Sequence, residues 1–133
     1  MIVLDENILY SQRELLKASG FSARQIGYDL LVKGIKDEQI IVELRRLRSP
    51  TFFTRDSGFY QKISCHRNYC LAVVNTNQYE VAAFVRRFLR HPRFNTQAKR
   101  LGKVVRIGPA GIIVWTAHRR SEIVEHWPAT KSY

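Results

Sequence analysis

A chain of 133 residues has room for one domain with its own hydrophobic core. At 45% hydrophobic and 25% charged residues the composition is that of a globular protein, and the longest apolar runs, such as Ile112–Trp115, are far too short to span a bilayer. The net charge of +11 is unevenly spread: residues 1–60 hold 9 Lys/Arg and 8 Asp/Glu, residues 61–133 hold 13 and 3. Carboxylates are therefore concentrated early and cations late, a balance that favours a polyanionic partner.

The apolar run Ile2–Leu4 predicts a short buried strand. No basic region and long apolar stretch open the chain, so no signal peptide is read and the expected location is the cytoplasm. The polar break Asp5-Glu6-Asn7 follows. Ser11 and Glu14 have capping-box spacing, which predicts a helix beginning at Ser11 and continuing through Leu15, Leu16 and Ala18 to a stop at Gly20. A second strand is expected within residues 21–26. Ile40, Ile41, Leu44 and Leu47 repeat at helical spacing, with Asp37 as the expected N-cap and Ser49-Pro50 as the end.

Thr51–Thr54 is β-branched and aromatic, a good strand, and Arg55-Asp56-Ser57-Gly58 is turn chemistry. Leu71–Val74 predicts another strand closed by Asn75-Thr76-Asn77. Val81, Phe84, Val85, Phe88 and Leu89 mark an amphipathic helix that ends at His91-Pro92. Residues 93–102 read as a basic loop or loose helix. Val104–Ile107 and Ile112–Trp115 flank Gly108-Pro109-Ala110-Gly111 and predict a hairpin or a kinked strand. The domain core is expected within about residues 1–117, with the tail peripheral. The order β-α-β-α-β-α-β-α-β predicts an α/β fold with a mainly parallel sheet and helices on both faces.

Sites in such sheets form beyond the carboxyl ends of the strands. Asp5 and Glu6 follow the first strand and Asp56 the third. Carboxylates gathered there repel, and a hard cation such as Mg²⁺ or Mn²⁺ relieves the repulsion and supports phosphoryl chemistry. The plainer readings stand beside this one: Asp37 as a cap, Asp56 as a turn residue, Glu6 and Asn7 as solvated loop, and Thr54 as a strand hydroxyl. Cys65, His66 and Cys70 lack the second ligand pair that zinc needs and read as reduced thiols near a strand. Arg86, Arg87 and Arg90, then Arg93, Lys99, Arg100, Lys103 and Arg106, form a basic stretch that is either a nucleic-acid-binding face or a solvated one. Tyr79, Phe94 and Trp115 are stacking or core residues. His118 and His126 are proton shuttles or exposed polar groups.

Leu4-Asp5-Glu6-Asn7, Gly34-Ile35-Lys36-Asp37-Glu38-Gln39-Ile40 and Phe53-Thr54-Arg55-Asp56-Ser57-Gly58-Phe59 resemble the PIN-like domains found as toxins in bacterial toxin–antitoxin pairs. The resemblance covers about the first 75 residues. It implies a three-layer α/β/α sandwich and a Mg²⁺- or Mn²⁺-dependent endoribonuclease. It implies metal-site roles for Asp5, Asp37 and Asp56, with Glu6 as a further acidic member. Thr54, with Asn7 and Asn75, would support the site, and Arg55 would join the basic residues on RNA. It also implies a cognate antitoxin protein as partner and allows a homodimer. The pattern departs where many relatives carry a second acid and this chain has Gly58, and where Asn75 stands in place of a carboxylate. Two other readings are an RNA- or ribosome-binding module with a degenerate site, and a receiver-like phosphoacceptor domain using Asp5-Glu6, Asp56, Thr76 and Lys103.

Overall fold

The apolar runs and the apolar 3.6-residue repeats become strands and helices almost where expected. A computed structural model describes residues 1–129. Strand β1 (Ile2–Leu4) leads to helix α1 (Tyr10–Ala18), β2 (Ala23–Gln25), α2 (Asp37–Arg46) and β3 (Thr51–Thr54). Two 3₁₀ turns (Ser57–Phe59 and Lys62–Ser64) precede β4 (Cys70–Val74), α3 (Val81–Arg90) and the single turn α4 (Gln97–Arg100). The chain then forms β5 (Lys103–Gly108), β6 (Gly111–Thr116) and β7 (Ile123–Glu125).

The strands make one sheet of seven in the order β2-β1-β3-β4-β5-β6-β7. The first five pair in parallel, while β6 and β7 are antiparallel additions. The chain leaves β1 toward β2 on one side and returns to β3 on the other. With crossovers of one hand, α1 and α2 must then lie on opposite faces. The packing agrees. Leu4, Phe53, Ala72, Val74, Val105 and Ile107 gather with Leu16 of α1 and with Val85 and Phe88 of α3. Their strand neighbours Val3, Phe52, Leu71, Val73 and Val104 gather with Ile40 and Leu44 of α2 and with Phe59. Strand side chains alternate between the two clusters, as a sheet buried on both faces requires. No helix among the described residues is long and apolar enough to cross a membrane.

Several local expectations are corrected. Helix α1 starts at Tyr10 with Leu9 as N-cap and no side-chain cap. Ser11 is therefore inside the helix rather than its cap, and no side-chain hydrogen bond caps the helix. The N-cap of α2 is Lys36, so Asp37 is its first residue. No α-helix separates β3 from β4, because residues 55–69 carry no apolar helical repeat and Gly58, Ser64 and Asn68 favour turns. Helix α3, which has no local side-chain cap, is capped from α1: buried Gln12 Oε1 accepts the Ala82 N–H at 2.9 Å.

As far as residue 129 the tail is not peripheral, and residues 130–133 lie outside the described residues. Strand β7 pairs with β6, and Trp127 packs on the α1/α3 cluster while its Nε1–H donates to the Gly108 carbonyl at 2.7 Å. Gly111 permits this closure. At φ 145°, a β-carbon there would sit 2.7 Å from the Glu125 carbonyl oxygen. Trp127→Ala is therefore expected to lower the unfolding free energy by about 2 kcal/mol, read as a lower urea midpoint at unchanged slope.

Candidate metal and phosphate site

Beyond the carboxyl ends of β1 and β3 the chain turns out of the sheet, and each of the two loops carries an aspartate. The Asp5 N–H still bonds the Phe53 carbonyl at 2.9 Å, which extends the β1–β3 ladder to the aspartate itself. Buried Thr54 then ties the two loops together. Its hydroxyl donates to Asp5 Oδ2 at 2.6 Å and accepts the Asp56 N–H at 3.0 Å. Asp5 Oδ1 accepts the Glu6 N–H at 2.8 Å, and Asp56 Oδ1 accepts the Gly58 N–H at 2.8 Å. Gly58 thus serves the site through its backbone, orienting the Asp56 carboxylate.

A cavity of about 370 Å³ opens between these loops, lined by Asp5, Glu6, Asn7, Ile8, Ile35, Asp37, Ile40, Arg55 and Asp56. Glu6 is held by the Gly34 N–H at 2.8 Å, which brings the 27–34 loop against the site. Gly27, at φ 84°, lets that loop approach: a β-carbon there would lie 3.3 Å from Glu6 Oε2. Arg55 lines the cavity, with Nε and Nη2 donating to the Thr76 carbonyl at 3.1 and 3.0 Å and other N–H groups to spare.

The electrostatics follow from this crowding. The Asp5 carboxyl is raised above its ordinary range, first by burial and further by the Glu6 and Asp56 charges. The Thr54 hydroxyl and the Glu6 N–H oppose that rise by stabilising the ionised form. Asp37 is raised as well, by partial burial first and then by the charge of Asp56 and a hydrogen bond with it. Asp5, Asp37 and Asp56 therefore feel one another across a single pocket.

Among the described residues no group of three or more His, Cys, Asp or Glu side chains is placed to hold a metal ion. The donor set suits Mg²⁺ or Mn²⁺ all the same, since hard cations of this kind take one or two carboxylates and keep several waters. It is a poor match for zinc, whose structural sites are closed by nitrogen and sulfur ligands.

Asp5, Glu6, Asn7, Asp37, Arg55 and Asp56, all singled out from the sequence, line this one cavity, and Thr54 is hydrogen-bonded to two of them. The remaining candidates lie elsewhere. Asn75 lies outside the cavity, beside Arg106 and the Gly108–Gly111 turn. The expected basic rim is elsewhere too. Arg100 is buried, donating from Nε to Thr51 Oγ1 and from Nη1 to the Phe94 carbonyl, both at 2.9 Å, so it is a structural residue. Arg86, Arg87 and Arg90 lie with His91 and Trp127 along α3: Arg86 bonds Ser19, and Arg87 covers the Trp127 ring at 4.3 Å. Arg93, Lys99 and Lys103 line a different groove. Phe94 is buried and Trp115 packs on the α2-side cluster, which removes both as stacking residues, while Tyr79 is exposed. Lys103 opens β5 at its amino end and pairs with Thr116, so it stands at the opposite end of the sheet from Asp56. Exposed His118 and His126 take no part in the pocket, and Cys65 and Cys70 are free thiols.

One residue was missed. Buried Gln25 donates from Nε2 to the carbonyls of Asp5 and Ile8, at 3.1 and 2.7 Å, and so fixes the turn that carries Asp5. A polar residue in a three-residue edge strand gives no periodic signal that would have revealed it. Comparison with protein-family models, with curated proteins and with solved structures returned no match.

The raised acids have a thermodynamic consequence. The folded chain holds protons on Asp5 and Asp37 at pH values where the unfolded chain has released them. Their contribution to stability therefore falls as pH rises from the ordinary carboxylate range through the raised values. Asp37→Asn, which removes one charge from the exposed side of the pocket, is expected to raise the melting temperature in EDTA at neutral pH. The gain should be small, roughly 1–2 °C, and should vanish near pH 3. Mg²⁺ should stabilise the wild type more than the variant, which differential scanning fluorimetry would read directly.

Proposed function

We propose that this chain is a PIN-like endoribonuclease that uses Mg²⁺ or Mn²⁺ to hydrolyse RNA phosphodiester bonds, the toxin component of a toxin–antitoxin pair. The observation that carries the reading is the meeting of Asp5, Asp37 and Asp56 around one pocket at the carboxyl ends of β1 and β3, with the Thr54 hydroxyl hydrogen-bonded between two of them. The two hydrophobic clusters, one holding α1 and α3 and the other α2, support the α/β/α sandwich that this reading requires. Free thiols at Cys65 and Cys70 accord with a cytoplasmic setting.

In this reading Asp5, Asp37 and Asp56 hold the cation, and Glu6 adds charge at the pocket edge. The cation supplies Lewis acidity toward the scissile phosphate and toward water. Thr54 keeps the Asp5 carboxylate in one orientation, a positioning role carried out from behind it. Arg55, the cation that lines the cavity, offers N–H donors to a phosphate oxygen. Asn7 stands at the pocket mouth as a hydrogen-bonding group. The cognate antitoxin would act by covering this mouth.

A second reading, an RNA- or ribosome-binding module with a degenerate site, is favoured by two observations. Asn75 lies outside the pocket, and no closed three-ligand group exists among the described residues.

The test is cleavage of structured and single-stranded RNA with Mg²⁺, Mn²⁺ or EDTA. Wild type should cut only with metal, and Asp56→Asn should lose at least about 100-fold, as expected for removing a charged group that stabilises the reaction. Thr54→Val should fall by about 10- to 100-fold and be partly recovered at higher Mn²⁺, because it loosens a metal-holding carboxylate without removing it. RNA binding without cleavage by wild type on every substrate would instead select the binding module.

A further inference from the structure

The cations that do not surround the carboxylates converge on a second feature. A groove of about 550 Å³ lies on the α3 side of the sheet where β6 and β7 extend beyond the helical cover. Its floor is Val114 and Thr116 of β6 with Ile123 and Glu125 of β7, and its wall is the segment from Pro92 to Phe94. Arg93, Lys99, Lys103 and Arg119 line it, against the single carboxylate of Glu125.

That carboxylate neutralises little. Arg93 Nε stands 3.9 Å from Glu125 Oε2, and the Arg93 side chain is 72% exposed. The lysines are held by neutral oxygens instead. Lys99 Nζ donates to the Pro92 carbonyl at 2.8 Å and to Asn95 Oδ1 at 3.0 Å, and Lys103 Nζ donates to the Lys99 carbonyl. The groove is thus a concentration of positive charge in which the two lysines are positioned by neutral oxygens and Arg93 has only a long, exposed contact with Glu125. Burial first, and the Arg93 charge in addition, depress the Lys103 ammonium below its usual range, with Glu125 offsetting part of the effect.

The location matters as much as the charge. The floor strands are three or more positions along the sheet from β3, about 14 Å or more at the usual strand spacing. Lys103 and Thr116 sit at the amino end of β5, whereas Asp5 and Asp56 sit at the carboxyl ends of β1 and β3. A ligand in the groove cannot be the group that reacts in the carboxylate pocket. A long polyanion can occupy both.

We infer that the Arg93–Lys99–Lys103–Arg119 groove is a distal anchoring site for the phosphodiester backbone of RNA, which holds the strand while a remote segment lies in the carboxylate pocket. The inference rests on the ribonuclease reading for its choice of polyanion. Arg93 and Arg119 present forked donors suited to phosphate oxygens, and the lysines add point charge. The floor offers the Thr116 hydroxyl and the Glu125 carboxylate, against four lining cations, so backbone charge outweighs sequence in the contact.

The experiment is fluorescence polarisation of labelled single-stranded RNA with full-length protein in EDTA, over a range of salt. The proteins are wild type, Arg93→Glu/Arg119→Glu, the milder Arg93→Gln/Arg119→Gln, and Arg24→Gln on edge strand β2 as a charge control outside both groove and pocket, each checked for folding by circular dichroism. Both groove variants should weaken binding, the charge reversal by at least about tenfold. The slope of log affinity against log salt should flatten by about 1.4 for the two lost phosphate contacts. Arg24→Gln should bind within about twofold of wild type. Unchanged affinity and slope in the folded groove variants would overturn the inference. So would displacement of RNA by polyglutamate at equal charge concentration, which would mark the groove as a seat for an acidic polypeptide. Loss of binding in the groove variants of a protein that cleaves no RNA would uphold the groove and remove the nuclease reading.

Discussion

The Thr54 hydroxyl is the hinge on which the site depends. It donates to Asp5 and accepts from the Asp56 backbone, so one buried oxygen sets the separation of two loops that mutual repulsion would otherwise drive apart. The restraint works because it is anchored in the sheet. Asp5 is still laddered to Phe53, and Gln25 holds the same turn from the β2 side through two carbonyls. Three neighbouring strands therefore converge on one aspartate. The burial that raises the Asp5 carboxyl is the cost of that placement, and the hydrogen bonds from Thr54 and Glu6 offset part of it.

This arrangement also explains the role of Gly58. Where related patterns carry a second acid, this chain has a residue whose N–H fixes the Asp56 carboxylate at 2.8 Å. A side chain there would crowd Asp56, since a β-carbon would lie 3.1 Å from Oδ1. The position thus contributes orientation rather than charge, as Thr54 and Gln25 do for Asp5 and its turn.

How much of this was legible depended on whether a signal was local. The parallel strands were readable because burial on both faces makes Ile2–Leu4, Thr51–Thr54 and Leu71–Val74 continuous apolar or β-branched runs. Asp5 and Asp56 were readable because one directly follows such a run and the other stands one residue beyond it. Asp37 is one residue inside a helix, and only the resemblance to a family gave it a catalytic role. Strand β7 escaped notice because Ile123-Val124-Glu125 is short and Val124 is exposed, so its pattern does not stand out from a tail. Arg100 looked like one more surface cation, and only the fold supplies the Thr51 and Phe94 oxygens that bury it. Gln12 and Gln25 were invisible for the same reason: their partners lie 70 and 17–20 residues away in the chain.

The separation of charge along the sequence becomes a separation in space, but not the concentric one that charge counting suggests. If the basic residues ringed the carboxylates, they would neutralise them and weaken any demand for a cation. Instead, Arg55 is the basic residue lining the pocket among the described residues, and the Arg93–Arg119 groove lies about 14 Å or more away laterally. The screening length at physiological salt is about 8 Å, so the groove contributes little field at the carboxylates. The acidic pocket keeps its negative potential, which favours a small cation and disfavours a polyanion. The groove keeps its positive potential, which favours a polyanion. A chain that must hold a cation and a polyanion at once can satisfy both only if the two fields do not cancel, and a seven-stranded sheet is wide enough to keep them apart.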